Sequence, residues 1–214
     1  MHKKVEPVDP IFETVVIASS NPAKVRRYKK ILTKYACQLI GLAEITLMGQ
    51  PEEKGETAEE NAEIKAKYYA EKSGLVVFSE DEALYVNFLS GEDQPGVHVR
   101  RINGKDEASD GQLLAYWEKI IANVPRRNRK GKWHIACCIA HPNGMVKTFS
   151  LDFPIMFFYP SSPVKIPGWP LSSIEGPLGF NKPHSELTKA ERLQADRKID
   201  EAVAKALIET ILDL

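Results

Sequence analysis

The stretch from Glu52 to Asp81, EEKGETAEENAEIKAKYYAEKSGLVVFSED, constrains this chain more than any other. It joins an acidic pair, a capped helix and a short apolar strand that ends in two more acids. Thr57 and Glu60 have the spacing of a capping box, with Thr at the N-cap and Glu at the third helical position. The interior, residues 58–72, has no Gly or Pro and is rich in Ala, Glu and Lys. Glu63 and Lys67 form a favourable i,i+4 pair. Asn61, Lys65, Tyr68 and Lys72 share one face; Ala62, Ala66, Tyr69 and Ala70 offer another. The strand Leu75-Val76-Val77-Phe78 then delivers Glu80 and Asp81 at its far end. Separated carboxylates and a lysine on a rigid scaffold suit a divalent cation bound to phosphate. Mg²⁺ takes one or two carboxylates and fills its other positions with water and phosphate oxygens. Taken alone, Asn61 and Lys65 read as a solvated helix face.

A second local signal lies upstream. Glu13–Ser19 is a β-branched apolar run and predicts a buried strand. Ser19-Ser20-Asn21-Pro22 supplies turn and N-cap residues, with Pro22 at a first helical position. A basic helix is predicted from Ala23 to about Tyr35, apolar at Val25, Tyr28, Ile31 and Leu32. Strand, polar turn and helix point backbone N–H groups at an anion. Lys24 lies in the first turn, where a cation opposes the helix dipole, so it reads either as an anion contact or as an ordinary surface lysine. The Gly-rich dinucleotide fingerprint and the Walker pattern are absent.

The remaining chain predicts an α/β protein. Strands are expected at residues 37–42, 83–89, 133–140 and 145–153, the last two joined by an Asn-Gly hairpin turn. Residues 110–123 form an amphipathic helix with Leu113, Leu114, Trp117, Ile120 and Ile121 on its apolar side. The basic link 125–132 reads as a solvated loop. A strand near 155–159 opens a Pro-rich stretch that reaches residue 183 as a long loop, in which Trp169 and Phe180 read as base-stacking or as packing groups. A last helix runs from about Ala195 to Leu212.

Zero net charge among 214 residues gives no hint of nucleic acid or an anionic membrane. No apolar run reaches the length of a membrane span, and residues 1–12 read as a flexible tail. Cys37, Cys137 and Cys138 are odd in number and lack a C-x-x-C pattern, which suits a reduced, cytoplasmic setting. The histidines show no zinc spacing, and no G-x-S-x-G occurs.

Several separated pieces resemble one family in order. Residues 18–24, ASSNPAK, are similar to its A-T-x-N-x-x-K loop. Residues 52–66 are similar to its E-E-T-G-x-T-x-x-E-N-A-x-x-K-A block. Glu80-Asp81 with Leu84 resembles its D-D-S-G-L strand end, and Gly91, Pro95-Gly96-Val97 and Arg101 its next segment. The family is the inosine triphosphate pyrophosphatases, and this chain resembles a divergent member over residues 13–205. The resemblance implies an elongated two-lobed α/β fold over residues 13–214, a mixed sheet flanked by helices with a central cleft, and usually a homodimer. It implies Mg²⁺-dependent hydrolysis of a nucleoside triphosphate to the monophosphate and pyrophosphate, with Mn²⁺ as a substitute metal. Glu52 and Asp81 would hold the metal, and Asp81 would activate water. Ser19, Ser20, Asn21, Lys24, Asn61 and Lys65 would serve the phosphate side.

The departures gather elsewhere. Glu82-Ala83 replaces the family's S-G and adds a negative charge. The F-G-Y-D-P motif is reduced to residues 178–183, with Phe180 as its aromatic. Arg192 stands for a lysine, and Ala195-Asp196-Arg197 for the S-H-R that reads the purine. Asp196 exchanges a donor for an acceptor, which disfavours a 6-oxo base and suits an amino group. The alternative is a catalytically impaired nucleotide-binding or partner-binding relative.

Overall fold

The computed structural model describes residues 11–46, 49–102, 108–167 and 169–212. Most of the expected tail therefore lies outside the described residues, and Phe12 already opens the first strand. The elements are β1 (Phe12–Ala18), α1 (Pro22–Leu32), β2 (Ala36–Gly41), α2 (Ala58–Ser73), β3 (Val76–Val86), α3 (Asp110–Ala122), β4 (Lys130–Ala140), β5 (Val146–Phe157), β6 (Glu175–Pro177) and α4 (Lys189–Leu212). The strands form one sheet in the order β2-β1-β3-β4-β5-β6. β1 is parallel to both β2 and β3, whereas β5 and β6 are antiparallel, so the sheet is mixed.

The chain divides into two compact units. The first comprises Met1–Asp81, Ala136–Ser150 and Ala202–Leu214; the second comprises Glu82–Ile135 and Leu151–Glu201.

In the first unit, β1 is the hub. Val15, Val16, Ile17 and Ala18 are all buried, as a strand flanked by parallel neighbours and covered on both faces must be. Alternation along β3 sorts the helices. Phe78 packs on Tyr28 of α1 with ring centres 4.7 Å apart. Ser79 points the other way and donates to the Ala62 carbonyl of α2. α1 and α2 therefore cover opposite faces. α2 approaches closely because its sheet-facing stripe is Ala58, Ala62, Ala66 and Ala70, all buried. Its capping box forms as expected: Thr57 Oγ1 accepts from Glu60 N, and the Glu60 carboxylate accepts from Thr57 N.

The second unit packs around Trp117 of α3, which stacks on Phe157 at 5.7 Å within a cluster of Leu84, Leu113, Ile121, Ile155 and Ile174. α3 begins with a second capping box, Ser109 and Gln112.

Four sequence expectations change. The two strands expected on either side of Glu80 are one strand, β3, in which the interior acids Glu80 and Asp81 are offset by Lys24 and Lys65. β5 continues through Pro154, whose carbonyl accepts from Leu178 N. α1 stops at Leu32 rather than Tyr35. α4 starts at Lys189, where Thr188 Oγ1 accepts from Glu191 N and the Glu191 carboxylate accepts from Thr188 N.

Candidate active site

The register Ala18↔Ser79 sets the carboxyl end of β1 beside the middle of β3. The turn after β1 therefore lies beside Glu80 and Asp81, where ligands of parallel sheets bind. Asn21 caps α1, its Oδ1 accepting from Ala23 N at 2.9 Å, and Ser19 Oγ accepts from Asn21 N. These bonds fix the turn at the positive end of the helix.

Lysines and acids alternate around this end of the first unit. Lys24 meets both oxygens of Glu80, at 3.2 and 3.0 Å, and the Glu80 side chain is only 3% exposed. On the other face of β3, Lys65 Nζ lies 2.7 Å from Asp81 Oδ1 and 3.0 Å from Glu53 Oε2. Ser19, Ser20, Lys24, Glu53, Lys65 and Glu80 are among the residues that line a cavity of about 240 Å³. That is smaller than the roughly 300–1,000 Å³ of a pocket for a whole ligand, so it suits one polar part of one.

The two charges at Lys65 influence each other. Burial alone would lower the Lys65 ammonium, but Asp81 and Glu53 together hold it above the usual lysine value. Burial raises Asp81 above the usual carboxylate value, and Lys65 only partly offsets this. A carboxylate with raised proton affinity beside a permanent cation suits a general base.

The remaining expected residues divide. Asn61 is buried and spends both ends of its amide on Gly55, accepting from its N–H at 2.8 Å and donating to its carbonyl at 3.4 Å. A Cβ on Gly55 would come within 2.7 Å of Asn61 Oδ1, so this clamp needs glycine. Asn61 thus anchors the loop that carries the acidic pair. Glu52 itself is 76% exposed and pairs with Lys54 at 2.9 Å. A tight turn, Lys54 N to Glu52 O at 3.1 Å, sends the adjacent acids different ways, and Glu53 is the one placed at Lys65. Among the described residues no three His, Cys, Asp or Glu side chains make a ready metal shell. The oxygen donors Glu53 and Asp81 nonetheless fit a hard cation that completes its shell with water and phosphate.

In the second unit, Arg192 donates to the carbonyls of Leu187 at 2.9 Å and Ser185 at 3.4 Å. Arg197 pairs with Glu201 at 2.7 Å and is 79% exposed. Phe180 is half-buried, with its N–H on the Pro177 carbonyl. Asp196 is exposed, and its charge acts on His184. Glu82, the added negative charge, acts on Glu175: burial first and Glu82 second push the Glu175 carboxyl up to about 8, against a hydrogen bond from Trp133. Sequence reasoning gave no role to Glu53 or Glu80. Glu53 was hidden by its identical neighbour, and Glu80 was legible only as half of an acidic pair.

Parallel strand–helix units and a polar cavity lined by Lys24, Lys65, Glu53 and Glu80 define an α/β protein. The model of the Ham1 family matches residues 15–151, and the chain belongs to that family. It is 34% identical over 135 residues to the dITP/XTP pyrophosphatase of Thermus thermophilus, a match covering 63% of each chain, less than two thirds of that relative. It is 28% identical over 181 residues to the dITP/XTP pyrophosphatase of Bradyrhizobium sp., covering 83% of this chain and 82% of the relative. The structure of the Staphylococcus aureus Ham1 protein superposes with a TM-score of 0.74 at 25% identity, covering 92% of this chain and 98% of that one.

Proposed function

We propose that this chain is a nucleoside triphosphate pyrophosphatase that releases a nucleoside monophosphate and pyrophosphate. The observation that carries the reading is Lys65 held between Asp81, in the middle of β3, and Glu53, beside the capped turn after β1. The names of the relatives point to the same reaction. Lys24, Lys65 and the N–H groups of the turn neutralise the phosphates, and such displacements depend mostly on positioning and electrostatics. Asp81 takes the proton of the attacking water, and its raised proton affinity suits that task. Mg²⁺, with Mn²⁺ as substitute, is the proposed cofactor; when bound it offsets charge on the phosphate oxygens. Asp81 and Glu53 would hold it, and Glu52 joins them only if it leaves Lys54. A cytoplasmic homodimer belongs to the same proposal.

The experiment is pyrophosphate release from a panel of ribo- and deoxynucleoside triphosphates with Mg²⁺ or Mn²⁺, with Asp81→Asn as the control. Release that vanishes in the variant is expected. No release from any triphosphate overturns the enzymatic reading. Arg192 and Arg197, occupied by carbonyls and by Glu201, favour a second reading, a nucleotide-binding relative without turnover. That version predicts thermal stabilisation by nucleotides without product.

A further inference from the structure

One side chain of the polar cavity takes no part in the proposed reaction. Tyr69 lines that cavity together with Lys24, Glu53, Lys65 and Glu80. It follows Lys65 by one helical turn on α2, the spacing at which side chains of a helix are neighbours. It falls three residues beyond the block 52–66 that resembles the family, so the resemblance gave it no role. The residue is only 6% exposed, and its ring meets Tyr68 edge to face with centres 5.1 Å apart. The hydroxyl makes no hydrogen bond among the described residues. Nor is it one of the buried polar atoms that are sealed away without a partner. A buried ring whose oxygen is neither bonded nor sealed turns that oxygen toward the open space of the cavity.

The charge of the lining shows what such an oxygen can do. The charged side chains that line the cavity are two ammonium groups and two carboxylates, which balance. Lys24 already faces Glu80, and Lys65 already faces Asp81 and Glu53. An entering phosphate therefore meets little net positive charge from side chains, and donors without an acid of their own gain weight. A phenol is such a donor as long as it keeps its proton. Burial first, then Tyr68 and Glu53, hold Tyr69 above the usual tyrosine value, against Lys65. The hydroxyl therefore keeps its proton at pH 7. That Glu53 and Lys65 both act on it sets it near the groups assigned to the phosphates and the metal.

We propose that the Tyr69 hydroxyl is a further phosphate-binding group, donating a hydrogen bond to a phosphate oxygen of the substrate and of the pyrophosphate released. The proposal rests on the nucleotide reading above and adds a substrate-contacting residue to it. A neutral donor holds the anion without joining the balanced ion pairs around it.

The test is calorimetric titration of the full chain with inorganic pyrophosphate in the presence of Mg²⁺, which reads binding without turnover. Tyr69→Phe keeps the ring and removes the hydroxyl. It is expected to bind pyrophosphate roughly tenfold to hundredfold more weakly, the usual worth of a hydrogen bond to a charged group. Tyr68→Phe removes a hydroxyl one residue away and is expected to bind as the parent does. The thermal midpoint of Tyr69→Phe without ligand should match that of the parent, since the fold loses no hydrogen bond. Undiminished binding by Tyr69→Phe, equal weakening by Tyr68→Phe, a fall in thermal midpoint that accompanies the lost affinity, or no binding by the parent overturns the proposal. Pyrophosphate release from nucleoside triphosphates separates the two readings. Weakened binding by Tyr69→Phe, with no release by the parent from any triphosphate, sinks the enzymatic reading alone. Release at the same kcat/KM by the parent and Tyr69→Phe sinks this one alone.

Discussion

The two units handle charge in opposite ways. In the first, nearly buried ions are cross-linked: Lys24 to Glu80, and Lys65 to Asp81 and Glu53. In the second, the acid most perturbed by burial, Glu175, has its carboxyl raised to about 8, and the exposed aromatic surface rests on an imidazole that burial keeps neutral. The first arrangement is prepared for a multiply charged anion, because fixed cations need not reorganise when it arrives. The second leaves Trp169 exposed over His184 and keeps its buried acid from ionising readily. One polymer of balanced composition thus treats charge differently in its two units by deciding where ions are paired and where they are silenced.

The largest expected effect tests the polar end. Asp81→Asn should lower kcat by roughly 10²–10⁴-fold, the usual worth of a positioned base. Its stability should behave differently. Burial raises Asp81 more than Lys65 lowers it, so the folded state binds that proton more readily than the unfolded state. The stability this group contributes is present below its unfolded value and is lost as pH rises through the raised folded value. Asparagine imitates the protonated form, so the thermal midpoint of Asp81→Asn at pH 7 should equal or exceed that of the parent. For the same reason the acid limb of the parent's kcat profile should lie above the ordinary Asp value of 3.8. A large drop in thermal midpoint would mean that the ion pair stabilises the fold, and would break the contrast between the units.

Lys65→Met is next. It leaves Glu53 and Asp81 facing each other without a cation, and should lower kcat/KM roughly 10²-fold while destabilising by about 1–3 kcal/mol, discounted because Glu53 is 41% exposed. Activity and chemical denaturation measure both. Ala62→Leu, on the buried alanine stripe of α2, should cost about 1–3 kcal/mol by overpacking, read as a lower denaturation midpoint. The smallest effect sharpens the comparison from the other side. Arg197→Ala removes a surface pair at 79% and 64% exposure and should change stability by less than about 0.5 kcal/mol and leave KM unaltered. A tenfold rise in KM would return Arg197 to the substrate.

Legibility followed the range of the forces. The turn after β1 and the box at Thr57 were readable because their partners lie within a few residues. The family blocks placed Lys24, Lys65 and Asp81 together; the structure sets Lys24 against Glu80 and Lys65 against Asp81, neighbours on β3. Which of Glu52 and Glu53 meets Lys65 was not readable, because one hydrogen-bonded turn decides it. The continuity of β3 was hidden because interior acids usually punctuate a strand, and their lysine partners come from helices 56 and 16 residues away. The early start of α4 was available in the Thr188–Glu191 spacing and was passed over. The clamp of Asn61 on Gly55 required knowing how close the backbone comes.

The alternation along β3 carries a consequence for how this site can change over time. Phe78 and Glu80 answer to one helix, Ser79 and Asp81 to the other. Inserting or deleting a single residue upstream in that strand would exchange the faces of the two acids, turning the longer one toward α2 and the shorter toward α1. Changes in pairs would restore the face of each acid; odd changes would not. Parity, as much as chemical identity, is what this strand must pass on.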